Sequence, residues 1–524
     1  MIGSDVFTIG VDIGTTSTKA AVFDHSGQVK GRHAVGYPLR TTALGAAEQD
    51  PDVIYTAVLE SIRGAIAAAN IAPERIRCAG FSSALHSLIA VDAGGRPLTP
   101  SITWADTRSV GWADKIRGEM DGQQIYRRTG TPIHPMSPFC KLVWLRHERP
   151  DIFAATHRFV GIKEYVFFRL FGQWVIDFSI ASATGLFNLA ALDWDAGALA
   201  VAGIDAGRLS RPVPPTHCLD GLAQSTAADL RLLPRTPFVV GANDGVLSNL
   251  GVDAIHAGDV AVTIGTSGAI RAVVDRPLTD PNGRTFCYLL TPRHWVVGGP
   301  INNGSIVFRW VRDELAASET ETAKRLGIDA YEVLTRIAER APPGCEGLLF
   351  HPFLTGERAP WWNARMRASF FGLAAHHRKE HMIRAVLEGV IFSLHSILPA
   401  VESLVGPTQT IKATGGFARS RLWRQMMADV FDREVVVPEE IESSCLGAAI
   451  MALCALGEVE SIEVVAGMVG AVHRHWPIAE NAAVYRQLAP IYRSIPTKLG
   501  DEYAQLAAFQ QSAKGAPSDV APPP

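Results

Sequence analysis

Two short stretches carry residue types suited to chemistry on phosphates. The first reads Asp-Ile-Gly-Thr-Thr-Ser-Thr-Lys at 12–19. A glycine lets the backbone approach a ligand closely, and the hydroxyl residues after it offer O–H and N–H donors to phosphate oxygens. An acid two residues before that glycine suits a divalent cation, held directly or through water. The second reads Gly-Ala-Asn-Asp-Gly at 241–245, where an apolar strand ends and a helix is expected to begin. A carboxylate there suits a general base for an attacking hydroxyl, and equally a cap for the helix N-terminus.

The first stretch occurs twice. With Val11 set over Val262, Ile13, Gly14 and Thr15 fall on Ile264, Gly265 and Thr266, while Ala21, Val22 and Asp24 fall on Ala272, Val273 and Asp275. Asp12 falls on Thr263. A single Gly/Thr string is as readily a hairpin turn with threonine present for its β-propensity. Two copies suggest loops at the ends of two related domains, gripping one polyphosphate from both sides.

The elements that position these loops follow from pattern. Residues 6–11 and 19–23 read as strands around the Gly/Thr turn, with Asp24 to Gly27 forming the next turn. Residues 52–69 carry helical periodicity behind an Asp-Pro start signal, and 75–81 and 88–91 read as strands. The same grammar returns with a strand–turn–strand at 259–274, helices at 302–316 and 377–404, strands at 410–414 and 434–437, and a helix at 420–431. Strands interleaved with amphipathic helices indicate an α/β fold. At 524 residues the chain exceeds one ordinary core. The repeat puts the cut near 252–258, so the expected domains are 1–254 and 255–500, followed by a disordered Pro/Ala/Gly-rich tail over 501–524.

A net charge of −3 gives no general affinity for nucleic acid or an anionic membrane. The seven cysteines, at 78, 140, 218, 287, 345, 445 and 454, are scattered and lack CxxC spacing. That pattern reads as a reduced, cytoplasmic protein without a zinc module. No run is expected to be long and apolar enough to span a bilayer. A homodimer stays open.

The 12–19 stretch, the Ile-Gly-Thr-Ser-Gly at 264–268, the run at 414–431 and the segment 368–388 together resemble the FGGY carbohydrate kinases, over essentially residues 6–500. The segment 136–148 fits the family's other signature except at His147. The resemblance implies two duplicated actin-like, ribonuclease H-like domains flanking a catalytic cleft, with ATP and Mg²⁺ as cofactors. It implies Asp244 as the general base and Asp12, with Asp244, as the metal-holding acids. Gly14, Thr15, Thr16 and Ser17 are then expected at the phosphates with Lys19 behind them, and Thr266 and Ser267 from the second loop. Gly415, Gly416 and Ser420 are expected at the adenosine, although Gly-Gly also makes ordinary turns and Ser420 a plain N-cap.

Finer features, at 86–92, 102–109, 182–195 and 353–373, resemble the gluconate-phosphorylating branch of the family. The expected reaction is therefore ATP-dependent phosphorylation of a terminal hydroxyl of a sugar acid, D-gluconate to 6-phospho-D-gluconate. Xylulose or another polyol is the rival substrate, and a non-catalytic sugar-sensing ATPase the rival class. His86, Trp104, Asp106, Arg108 and Met136 are the sugar-side candidates, since an aldonate carboxylate calls for Arg, Lys or His. His376, His377 and His381 lack metal-site spacing, Trp361 and Trp362 read as inter-domain packing, and Arg419, Arg421 and Arg424 as a solvated helix face.

Overall fold

The computed structural model describes residues 6–41, 45–438, 442–470 and 472–515. The repeated stretch forms two hairpins. In the first half, β1 (Phe7–Ile13) and β2 (Ser17–Phe23) pair antiparallel with Asp12 opposite Lys19, and β3 (Val29–Gly36) adds to β2. On the other side of β1, β4 (Ile76–Ser83) and then β5 (Phe238–Asn243) run parallel to it. The second half repeats the arrangement with β6 (Asp259–Ile264), β7 (Gly268–Val274), β8 (His294–Ile301), β9 (Thr410–Thr414) and β10 (Glu434–Pro438). The strand orders β3-β2-β1-β4-β5 and β8-β7-β6-β9-β10 match in sequence and direction. Short edge strands, Cys218–Leu219, Phe286–Thr291 and Val472–His475, extend the two sheets. The self-match in the sequence is thus the visible part of a duplicated fold.

Helix α1 (Pro51–Ala69) forms where its signals lie. The Asp50 carboxylate caps it by accepting from the backbone N–H groups of Asp52 and Val53, and Asn70 closes it in the left-handed conformation. Its buried stripe of Ile54, Val58, Ile62 and Ile66 packs into one core with β1, β2 and β4. Helix α2 (Asp244–Leu250) leaves β5 directly, α3 (Arg421–Phe431) lies between β9 and β10, and α4 (Ser443–Ala455) follows β10.

Helix α4 joins the halves. Although it lies in the second half of the chain, it sits on the backbone of the first sheet. A Cβ on Gly10 of β1 would lie 1.9 Å from the Cys445 carbonyl oxygen, and one on Gly80 of β4 2.0 Å from that of Ala448. On α4 itself, a Cβ on Gly447 would lie 2.2 Å from the Leu247 oxygen of α2. One core holds Phe23 of the first sheet, Val273, Phe286 and Val296 of the second, Leu247 of α2 and Met451 of α4.

Three expectations need correction. Residues 501–515 are not a disordered tail: Gly500–Gly515 is helical, and Tyr503 and Ala507, one turn apart, are buried. Tyr503 packs with Phe353 and Met366, which is enough to seat the helix; 516–524 lie outside the described residues. The helix expected at 377–404 is two, Lys379–His395 and Leu398–Val405, with Pro399 in the first turn of the second. The whole stretch 379–405 is apolar enough by length and composition to cross a membrane, contrary to expectation, and it is mostly buried as core of the second half.

The glycine contacts under α4 give a direct test. Gly80→Ala should cost about 1–3 kcal/mol in denaturant unfolding, because the added methyl meets backbone that cannot yield. Gly118→Ala, on a helix where a Cβ meets no atom within 4 Å, should leave stability equal or higher.

Candidate active site

Three neighbouring parallel strands deliver the site. Asp12 lies near the end of β1, Ser82 and Ser83 end β4, and Asp244 follows β5, all at the carboxyl edge where open α/β sheets bind ligands. Gly241 makes this possible on β5: it takes a positive φ of 65°, and a Cβ there would lie 1.9 Å from the Phe81 oxygen. The capping role open to Asp244 is taken by its neighbour, since Asn243 Oδ1 accepts from the Val246 N–H at 2.9 Å. Among the described residues the Asp244 side chain keeps only a local bond, Oδ1 accepting from the Gly245 N–H at 2.7 Å.

Electrostatics tune this carboxyl. Burial, and then the nearby charge of Asp12, push Asp244 up to about 6, against the pull of Arg271 and Lys163. Asp12 is also raised by burial, although Ser82 Oγ donates to its Oδ1 at 2.7 Å and Lys19 faces it. Arg271 comes from β7 and settles over Gly245, where a Cβ would lie 2.9 Å from its Nε. Its Nη1 donates to Thr263 Oγ1 at 3.4 Å, and Thr263 pairs with Thr414 at 3.0 Å. So the second hairpin, lacking the acid, supports a guanidinium that faces the base of the first half. Beneath, buried Lys163 pairs with Asp177 at 2.7 Å and donates to the carbonyls of Val240 and Ala242, holding the end of β5.

The first loop is tied down through its carbonyls, leaving Thr16 exposed. Tyr37 Oη donates to the Gly14 oxygen at 2.6 Å and Gln49 Nε2 to the Thr15 oxygen at 2.6 Å, while the Gly14 N–H bonds the Ser17 oxygen at 3.0 Å. Lys19 is committed to Glu442 across the halves at 3.0 Å. In the second loop the Gly265 N–H bonds the Ser267 oxygen at 2.8 Å, and Gly304 and Ser305 donate to the carbonyls of Thr266 and Gly265. Thr266 is exposed. Gly415, at φ 104°, passes so close to the Ile264 oxygen that a Cβ would sit 2.3 Å away, whereas one on Gly416 would meet no protein atom within 4 Å. Ser420 is the N-cap of α3, accepting from the Trp423 N–H at 3.4 Å.

On the sugar side, His86 is buried in a left-handed conformation at φ 67°. Its Nδ1 lies 2.9 Å from the Ala183 carbonyl, which only accepts, so Nδ1 carries the proton and Nε2 is an acceptor. Burial, Lys141 and Arg358 keep the ring neutral. Lys141, brought down to about 7 by burial, donates to the carbonyls of His86 and Ile102. Trp104 meets the phosphate loop, its Nε1 donating to Thr15 Oγ1 at 2.9 Å. Met136 is fully buried in the second half's core.

Asp106 and Arg108 are committed to each other and to the loop behind. Arg108 spends its fork on Asp106 at 2.7 Å and Glu48 at 2.5 Å, and Asp106 Oδ2 also accepts from the Ala47 N–H at 3.0 Å. A carboxylate and guanidinium two residues apart satisfy each other first. They brace the strand whose Gln49 holds Thr15, and so act on the loop from behind.

Sequence reasoning missed Arg271, Arg358, Lys163 and Tyr37. Arg358 lies 4.7 Å over the Trp104 ring and is 6% exposed. Only tertiary burial distinguishes such an arginine from a surface one. Trp362 does pack between the halves, against His134 and with Nε1 donating to the Arg284 oxygen. His376, His377 and Glu346 cluster at the surface, but both nitrogens of His377 are engaged, with the Ala374 N–H and the Cys345 carbonyl.

Residues 7–251 match the N-terminal domain model of the FGGY family of carbohydrate kinases, and residues 260–456 match its C-terminal domain model. The chain belongs to the FGGY family of carbohydrate kinases. It is 54% identical over 506 residues to a gluconokinase of Bacillus subtilis (strain 168), spanning 96% of this chain and 98% of that one. A xylulose kinase of the same organism is 27% identical over 510 residues, 97% of this chain and 100% of that one. Among solved structures, gluconate kinase from Lactobacillus acidophilus superposes with a TM-score of 0.89 at 37% identity, covering 95% of this chain and 99% of that one. A structure described as ligand-bound xylulose kinase from the same organism gives the same values.

In a carbohydrate kinase of this family, Asp12 and Asp244 fit a hard divalent cation: both offer oxygen donors, and both are reluctant to ionise without a compensating charge. The pH behaviour is testable. A base with its midpoint at about 6 should give turnover that rises with pH through that value. Arg271 lowers the midpoint, so Arg271→Met should move this limb to higher pH. A carboxyl raised above its unfolded value of 3.8 lowers stability as pH climbs between the two midpoints. Asp244→Asn removes that cost, so its thermal midpoint at pH 7 should equal or exceed the wild type's.

Proposed function

We propose that the chain transfers the γ-phosphoryl group of ATP to the 6-hydroxyl of D-gluconate, giving 6-phospho-D-gluconate and ADP. The observation that carries the chemistry is Asp244: relieved of capping by Asn243 and tuned to about 6, it suits a base working near neutral pH. The substrate rests on the relatives, a gluconokinase at 54% identity against a xylulose kinase at 27%.

Asp244 takes the hydroxyl proton as the sugar oxygen bonds to the γ-phosphorus and the bridge to ADP breaks. Thr15, Thr16 and Ser17 offer donors to the phosphates from one side, where Gly14 lets the backbone approach, and Thr266 and Ser267 from the other. Open space beside Gly416, with Gly415 fixing the turn and Ser420 opening α3, suits the adenosine. His86 Nε2 accepts from a sugar hydroxyl, and Trp104 forms the wall against the carbon chain. When bound, Mg²⁺ neutralises charge on the polyphosphate, and Asp12 with Asp244 would hold it. Sugar then lies with residues 1–254 and nucleotide with 255–500, and the reaction belongs in the cytoplasm, away from membranes. The solved structures favour a second reading, a ketose kinase, because the one described as xylulose kinase matches as well as the gluconate kinase.

Coupled ADP detection over D-gluconate, D-xylulose and glycerol should give the highest kcat/KM for D-gluconate. Asp244→Asn should lower kcat by roughly 10²–10⁴ while ATP still binds. Near-normal turnover in that variant would remove Asp244 as the base, and a preference for D-xylulose would replace the substrate.

A further inference from the structure

The cations around the sugar-side residues are unequally committed. Arg108 is paired with Asp106 and Glu48, and Lys141 donates to two carbonyls. Arg358 is not committed in this way. Among the described residues it forms no side-chain ion pair, its Nη2 donates to the Ile301 carbonyl at 2.9 Å, and its buried Nε has no partner. Its neighbour Glu357 is taken: that carboxylate accepts from the N–H groups of Asn302 and Arg358 and from Asn303 Nδ2. Burial draws Arg358 down to about 10. A buried guanidinium without a carboxylate is costly, and its unpaired Nε calls for an explanation.

Other donors nearby are also incomplete. His134 Nδ1 accepts from the Met136 N–H at 3.2 Å, so Nε2 carries the proton, and this buried N–H has no partner among the described residues. The same holds for the buried Tyr288 hydroxyl, on a ring edge-on to His86 at 6.1 Å. The Arg358 charge acts on His86, His134 and Tyr288, and it feels Asp244. Contact geometry puts the uncommitted cation on the same side: the guanidinium lies over Trp104, whose Nε1 bonds Thr15 of the phosphate loop, and Tyr288 is edge-on to His86.

Resting on the gluconate reading above, we propose that Arg358 recognises the carboxylate of the sugar acid at the end away from Asp244, with the His134 N–H and Tyr288 hydroxyl as flanking donors. The residue makes the site select aldonates over neutral polyols. A planar fork matches a carboxylate bidentately, a match that a lysine does not reproduce.

The test compares an acid with its neutral twin. Equilibrium titration of the full chain with D-gluconate and D-gluconamide, without nucleotide, should show R358M weakening D-gluconate by about tenfold to a hundredfold. D-gluconamide should stay within about threefold, and KM for ATP should not move. R358K keeps the charge without the fork and should recover part of the loss, which also serves if R358M does not fold. Equal losses for acid and amide, or a raised KM for ATP with unchanged D-gluconate binding, would overturn the assignment; the latter would make Arg358 a γ-phosphate ligand. Wild-type preference for D-xylulose would sink the gluconate reading instead. Equal losses in an enzyme that does prefer D-gluconate would sink only Arg358.

Discussion

Two carboxylates, Asp12 and Asp244, stand at the carboxyl edge of one sheet with a single strand between theirs, and neither ionises easily there. Removal from water is the larger cause and mutual repulsion the next for Asp244. The surroundings limit the cost without abolishing it. Ser82 bonds Asp12, Lys19 faces it from the paired strand, and Arg271 sits beside Asp244 over a glycine. Full neutralisation would leave a weaker base, and no compensation would leave a protonated one. A midpoint of about 6 lies between those limits.

That balance needs both halves of the chain. Arg271 and Glu442 come from the second half and reach Asp244 and Lys19 of the first, and the Ser444 hydroxyl bonds the Asp244 carbonyl at 3.2 Å. The reach is short because α4 lies directly on the first sheet at Gly10 and Gly80 and against α2 at Gly447. Duplication supplied two similar hairpins, and their divergence divided the work. One kept an acid at Asp12. The other holds Thr263 at the matching place, which helps orient a cation toward the acid at 244.

Much of this was legible in the sequence because it is local. The hairpins, α1 with its Asp50 cap, the two loops and the Asp244 turn all follow from period, turn chemistry and the repeat. Family resemblance supplied the roles of loops that spacing alone left ambiguous. What stayed hidden depends on distant partners. Arg271 and Arg358 look like surface arginines until their surroundings are known, and α4 carries an Ala/Gly/Leu pattern that does not say which sheet it will cover. For Asp106 and Arg108 the types suit a sugar acid, and only the structure shows that their nearness lets them satisfy each other. The helix at 500–515 was missed because two residues one turn apart anchor a segment whose composition reads as tail.

Coupling to Asp12 is the part of the Asp244 shift that one substitution can remove. Its most direct test is carboxyl-carbon NMR titration of aspartate-labelled protein, with the Asp244 signal assigned from its absence in Asp244→Asn. The expected midpoint is about 6 in the wild type, moving toward 3.8 in Asp12→Asn as the repulsive neighbour is removed. A wild-type midpoint near 3.8, or one indifferent to Asp12, would contradict the account.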